Sequence, residues 1–250
     1  MEQEVKVKSL VKVFAILECF SNSEPELGIS EISRKLGMLK STVYNIVATC
    51  EALGYLVQNK ESGKYYLGVK FLQFSYIVNN HMGLRNVFLP YMQQIANDVR
   101  ETVYMGIPHG DEVLYIECCS PMPQTSQRTI LGEHAPMYCT GLGKAMMAFL
   151  PEQEQKEYTS RPLEPYTETT ITDSQTLLKE LETIRQRGYA IDDMEHEYGV
   201  VCIGVPVFGN DGRVVAAVSV SAPSLRLKKH IIKIYAGKIQ TYLQPIQNKL

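Results

Sequence analysis

Three apolar-periodic segments and a short hairpin succeed one another in the first seventy residues with almost no slack between them. The first runs from Ser9 to Phe20 and repeats Leu10, Val13, Phe14, Leu17 and Phe20 at helical spacing. The second, Ile29 to Leu36, sets Ile29, Ile32 and Leu36 on one face and stops at Gly37, a residue suited to a left-handed turn. The third starts around Ser41 and ends at Gly54, with Val43, Ile46, Val47, Cys50 and Leu53 expected inward. Two alternating runs follow, Tyr55 to Gln58 and Lys64 to Leu67, joined by the polar turn Asn59-Lys60-Glu61-Ser62-Gly63. Two short helices around a glycine turn, then a hairpin, is the order of a winged helix-turn-helix.

The third helix leaves Lys40, Ser41, Thr42, Tyr44 and Asn45 outward near its start, side chains that reach phosphates and base edges. Lys60 and Lys64 stand on or beside the hairpin tip. Between Arg34 and Lys70 six cations face only Glu51 and Glu61, whereas the whole chain carries a net charge of −2. Positive charge is therefore gathered where the reading helix and wing lie, a modest footprint for double-stranded DNA. The same lysines also suit a plain solvated surface.

A chain of 250 residues has room for one to two domains, each with its own core. With 45% hydrophobic and 21% charged residues it has an ordinary soluble composition. No apolar run approaches the roughly 20 residues that span a bilayer. The acidic start Met1-Glu2-Gln3-Glu4 does not read as a secretory signal. Cys19, Cys50, Cys118, Cys119, Cys139 and Cys202 show no metal-type spacing, and a cytoplasmic address with reduced thiols is expected.

Residues 69–82 read as a linker helix between a 1–68 head and a domain spanning 83–250. Its apolar residues Phe71, Leu72, Phe74, Ile77 and Val78 cover more than one face, which predicts packing against a second copy or the other domain. Beyond Gly83 a helix to about Val99 precedes strands at Thr102–Ile107, Glu112–Cys118 and Gln127–Leu131. Helices are expected at Leu142–Leu150 and Gln175–Arg187, the latter stopped by Gly188. The last strand pair, Val200–Phe208 and Arg213–Ser221, turns at Asn210-Asp211-Gly212, and a closing helix follows Pro223. This order predicts an α+β sheet domain of the small-molecule sensor type.

Competing chemistries fit less well. Gly141-Leu142-Gly143-Lys144 lacks the Ser or Thr and the earlier Gly of a phosphate-binding loop. Asp192, Asp193, Glu195, His196 and Glu197 contain no HExxH pattern and read as a solvated acidic loop, with adventitious metal at Asp192, His196 and Cys202 left open. Cys139 has no placeable partner base. No cofactor and no enzymatic activity are expected. A ligand-binding or enzymatic sensor with a vestigial helix-turn-helix is the alternative.

The residues nevertheless carry a resemblance. Ser41-Thr42-Val43-Tyr44, Leu53-Gly54-Tyr55-Leu56, Gly141-Leu142-Gly143-Lys144-Ala145, the run from Gly188 to Glu197, Gly199 to Val207, and Val218 to Pro223 stand in the order and spacing of the IclR family of bacterial transcriptional regulators. The chain resembles that family over essentially its full length. The resemblance implies a GAF-like α/β effector domain behind the winged helix and assembly as a homodimer or dimer of dimers on a palindromic operator. It also implies a ligand-responsive regulator, expected to repress a catabolic operon. Two positions depart from the family: Leu39 stands where Pro is frequent, and Asn45 where Arg is common. Asn45 suits adenine N6 and N7, and equally a solvent-facing position.

Helix-start amides at Gly141 and Leu142 favour an anion. Ser219 and Ser221, two apart, project from one strand face, which also suits simple packing at a sheet rim. The resemblance implies effector contacts at Gly141, Leu142, Asp192, Cys202, Ser219 and Ser221. Asp192 would repel a second negative charge, so the set suits a small monocarboxylate such as a 2-oxo or sugar acid, and an aromatic acid stays open with Met146 beside Leu142 as an apolar wall.

Overall fold

The structure, a computed structural model, describes residues 6–81, 83–121 and 130–247. It divides into two compact units, 1–81 and 82–250.

The N-terminal unit contains α1 (Lys8–Leu17), α2 (Ile29–Leu36), α3 (Lys40–Ala52), the antiparallel pair β1 (Leu56–Gln58) and β2 (Tyr65–Leu67), and α4 (Phe71–His81). Its core joins Ile16, Phe20, Leu27, Ile32, Val43, Val47, Cys50, Leu56 and Tyr65. Gly37 takes φ +63°, a conformation open to glycine without a Cβ clash, and so turns the chain from α2 into α3. The Ser33 hydroxyl holds the turn by donating to the Met38 carbonyl at 2.6 Å. Leu27 exchanges both backbone hydrogen bonds with Tyr65 at 2.9 Å, so the wing is anchored to the segment before α2.

Three details differ from the periodicity. The first helix ends at Leu17, and Phe20 reaches the core from the turn beyond it. Leu10 and Phe14, part of the apolar period of the first segment, are exposed because Ile16 defines the buried face of α1. Leu53, expected inward on α3, lies past its end and is exposed.

The second unit contains α5 (Gly83–Val99), β3 (Thr102–His109), β4 (Glu112–Cys119), β5 (His134–Pro136), α6 (Gly141–Met147), α7 (Glu152–Thr159), α8 (Ser174–Arg187), β6 (Ala190–Asp193), β7 (Val200–Phe208), β8 (Val214–Pro223) and α9 (Lys229–Leu243). The strands form one antiparallel sheet in the order β5-β4-β3-β8-β7-β6. Alternation along each strand divides the two faces. Val201, Ile203, Val205 and Val207 of β7, with Val218 and Val220 of β8, pack with α5 and α9. The opposite face carries α6 and α8, through Leu142, Met146, Leu177, Leu181 and Ile184. Cys202, Gly204, Ser219 and Ser221 take the intervening strand positions and so belong to the α6 side.

Gly188 ends α8 in the left-handed conformation, where the sequence places its stop. The sequence reading misses β5 and α7. Of the strand expected at Gln127–Leu131, residues 127–129 lie outside the described residues, and Ile130 and Leu131 are not in a strand.

Candidate nucleic-acid interface and ligand cavity

The front of α3 is polar because its apolar positions are consumed by the core: Val43, Val47 and Cys50 are buried one helical turn apart. Lys40, Ser41, Tyr44 and Asn45 are exposed and Thr42 is half-buried. The residue preceding the helix is Leu39, so no side chain caps the first turn. The first intrahelical bond runs from the Val43 N–H to the Leu39 carbonyl at 3.1 Å.

The wing tip is held by Glu26, which accepts from Asn59 Nδ2 at 3.0 Å and from the Ser62 hydroxyl at 3.1 Å. Lys64 does not reach outward freely, since its ammonium lies 3.0 Å from Glu31. Lys35 is likewise paired with Glu24, and Lys70 donates to the Leu53 carbonyl over the Tyr55 ring. Both acids, Glu24 and Glu31, precede the cationic stretch that begins at Arg34. Among the described residues, Lys40 and Lys60 make no ion pair. The positive footprint is accordingly smaller than the sequence count and comprises the reading-helix start, the wing tip and exposed Arg34 of α2, which makes no ion pair among the described residues either.

In the second unit the start of α6 approaches the sheet very closely. A Cβ on Gly204 would lie 2.0 Å from the Gly141 carbonyl oxygen, so only glycine lets β7 pass beneath the helix. Thr140 caps α6, its hydroxyl oxygen accepting from the Gly143 N–H at 3.1 Å while donating to the Pro136 carbonyl at 2.9 Å. Beside this helix start lies a cavity of about 720 Å³, within the size range of small-molecule sites. All six positions named from sequence line it: Gly141, Leu142, Asp192, Cys202, Ser219 and Ser221. They meet because Ser219 and Ser221 pair across β8 with Gly204 and Cys202 of β7, and Cys202 pairs with Asp192 of β6. The Cys202 thiol donates to the Ser221 hydroxyl at 3.4 Å, and burial pushes its pKa up, so it stays protonated.

Met146 lies in the core beneath α6 and does not face the cavity, so its expected role as an apolar wall is not met. Tyr104 and Tyr115 supply that wall, their rings edge to face with centroids 5.8 Å apart. Sequence reasoning missed both. Tyr104 is opposite Ser219 and Thr102 opposite Ser221 in the sheet register, a relation that no local pattern encodes. Also missed were Glu133 and His134, and, toward Pro223, Glu101 held by a bidentate Arg226 at 2.7 Å for both contacts, while His196 and Glu197, read from the sequence only as part of an acidic loop with adventitious metal open at His196, line the cavity too.

The acidic loop is only partly solvated. Asp193 and Glu197 are exposed, but Asp192 and Glu195 are buried. The reason is Lys144, 1% exposed on α6, which forms an ion pair with Glu195. The Glu195 N–H in turn donates to Asp192 Oδ1 at 2.7 Å. Burial pushes the Asp192 carboxyl up to about 7, against the pull of the Lys144 ammonium and its backbone hydrogen bonds. Burial also lowers the His196 pKa, which leaves its imidazole neutral at pH 7. The cavity therefore combines helix-start amides, two serine hydroxyls, tyrosine faces and a carboxyl that titrates near neutrality. Among the described residues, no three His, Cys, Asp or Glu side chains are grouped to hold a metal ion.

Comparison with known proteins agrees in both units. The IclR helix-turn-helix domain matches residues 9–60, and the C-terminal domain of bacterial IclR transcriptional regulators matches residues 76–248. The transcriptional regulator KdgR of Escherichia coli K12 is 32% identical over 250 residues, covering all of this chain and 95% of KdgR. The transcriptional repressor AllR of the same strain is 31% identical, covering 88% of this chain and 82% of AllR. An IclR homologue from Microbacterium hydrocarbonoxydans, solved in complex with 4-hydroxybenzoate, superposes with a TM-score of 0.80 at 26% identity, over 95% of this chain and all of that one. Among the described residues no helix is long and apolar enough to cross a membrane. A winged helix-turn-helix followed along the chain by a ligand-domain fold, matched by family models over residues 9–60 and 76–248, means that the chain belongs to the IclR family of DNA-binding transcriptional regulators.

Proposed function

We propose that the protein is a ligand-responsive repressor of a catabolic operon, acting in the cytoplasm, whose effector is a small monocarboxylate bound in the α6 cavity. The observation that carries this reading is the convergence of Gly141, Leu142, Asp192, Cys202, Ser219 and Ser221 on one cavity. The carboxylate would lie at the Gly141 and Leu142 amides, where the helix-start dipole favours negative charge. Ser219 and Ser221 would donate to the ligand, and Asp192 would accept from a hydroxyl. The tyrosine wall admits a flat or aromatic ligand, and 4-hydroxybenzoate in the Microbacterium homologue is a monocarboxylate with a distant hydroxyl. Repression is the role that AllR carries in its name.

The exposed Leu72, Phe74, Ile77 and Val78 of α4 support assembly as a homodimer or dimer of dimers, which would place two reading helices on a palindromic operator. Effector would alter operator affinity only to the extent that it binds the DNA-free and DNA-bound forms unequally.

Thermal-shift screening against a panel of small organic acids tests the ligand class, because a ligand that binds only the folded state raises its stability. The double variant Ser219→Ala, Ser221→Ala should lose ~1–3 kcal/mol of affinity for the acid found, yet bind operator like the parent. Unchanged calorimetric affinity in that variant would remove the cavity from the reading.

A further inference from the structure

We infer that Leu39, at the entry to the reading helix, is a specificity-determining residue that contacts the C5-methyl of a thymine in the major groove. The inference rests on α3 being the DNA-reading helix.

Leu39 is 75% exposed, a large apolar side chain beside Lys40 and Ser41 at the tip of the unit's polar face. It occupies the position where a helix gains most from Ser, Thr, Asp or Asn, and it provides no cap. Its neighbour Met38 packs against the core, and Leu39 does not. The residue therefore stabilises neither the helix start nor the interior. Side-chain caps stand at two other helix starts, Thr140 on α6 and Asp173 on α8, whose carboxylate accepts from the Thr176 N–H at 2.7 Å, whereas Val7, Gly28, Pro151 and Lys228 begin their helices without one.

A single exposed leucine is unremarkable on most surfaces. Here two unfavourable choices coincide at the end of a recognition helix that comes nearest the base edges. The thymine methyl is the apolar group that the major groove offers, and an aliphatic side chain next to Lys40, which would hold a phosphate, matches it. The uncapped amides of the first turn remain available to the same DNA backbone.

The test uses the full-length protein and a duplex selected by it from a random library. Each thymine of the selected duplex is replaced in turn by deoxyuridine, which removes one methyl and nothing else, and affinity is read by fluorescence anisotropy. One thymine per half-site should matter, with binding weakened about threefold to tenfold, the scale of one buried methyl. Leu39→Ser should show the same loss on the thymine duplex and no further loss on the uracil duplex. It should also melt at a temperature equal to or above the parent's, since serine restores a helix cap, so that weaker binding is not a folding defect. The inference is overturned if no single uracil weakens the parent, or if uracil weakens parent and Leu39→Ser equally. Failure to select any duplex would instead remove the DNA-reading assignment of α3.

Discussion

Replacing Lys144 by Met probes the buried pair that ties the α6 cavity wall to the Asp192–Glu195 loop. The lysine and glutamate side chains are 1% and 7% exposed, and Glu195 Oε2 has no hydrogen-bond partner among the described residues. Two charges taken out of water are stabilised mainly by each other, so removing one leaves the other buried and uncompensated. The expected loss is about 3–5 kcal/mol. For a folded unit of this size that corresponds to a fall in Tm of roughly 6–20 °C. The loss should grow with pH. Burial already holds the Glu195 carboxyl above its usual range, and the ammonium pulls it back down. Without Lys144 the folded-state pKa rises further, while the unfolded-state value stays ordinary. Between the two the folded state binds more protons, so stability falls as pH rises from the unfolded to the folded pKa. Urea unfolding followed by circular dichroism at pH 5.5 and pH 8 should therefore show the larger deficit at pH 8. Removing both charges, with Lys144→Met and Glu195→Leu together, should recover most of it, because no ion is then left unpaired. A single variant within ~1 kcal/mol of the parent, or a double variant no better than the single, would refute the reasoning.

Three further outcomes are expected. Because burial pushes the Asp192 carboxyl up to about 7, binding of an anion beside it should raise its pKa further and take up a proton. Affinity for a carboxylate should then rise as pH falls from 8 to 6, by at most about tenfold per unit, and calorimetric enthalpies should differ between buffers of unlike ionisation heat; pH-independent binding would refute this. Gly204→Ala should lower stability by about 1–3 kcal/mol or more and weaken effector binding, because the new methyl meets the Gly141 carbonyl at 2.0 Å; a thermal melt like the parent's would contradict that close approach. Lys40→Ala should weaken binding to every duplex and reduce the salt slope by about 1, whereas Asn45→Ala should relax preference at one base position by ~1–3 kcal/mol. If both variants bind the selected duplex like the parent, α3 is not the reader.

Local physics settles a good deal of this molecule in its sequence. Val43, Val47 and Cys50 repeat at helical spacing whatever surrounds them, and that repetition forces the polar front of α3 outward. Gly37 and Gly188 sit where the chain needs φ above zero, so both helix stops are readable without a fold. The alternation of β7 and β8 likewise puts Ser219 and Ser221 on a common face, and family spacing groups them with Gly141 and Asp192. Other features depend on partners distant in the chain. Lys144 and Glu195 are 51 residues apart, and an acidic run expected to be solvated is half-buried because a lysine from α6 comes down upon it. Tyr104 joins the cavity through its register opposite Ser219, and Lys64 loses its freedom to Glu31, which precedes the cationic stretch that begins at Arg34. Leu10 and Phe14 satisfy the helical period yet face away from the head's core, because period alone does not say which stripe that core takes. Periodicity, caps and turns are written in contacts a few residues long. Register, burial of charge and the makeup of a cavity wall come from packing between distant segments, and these only the tertiary structure decides.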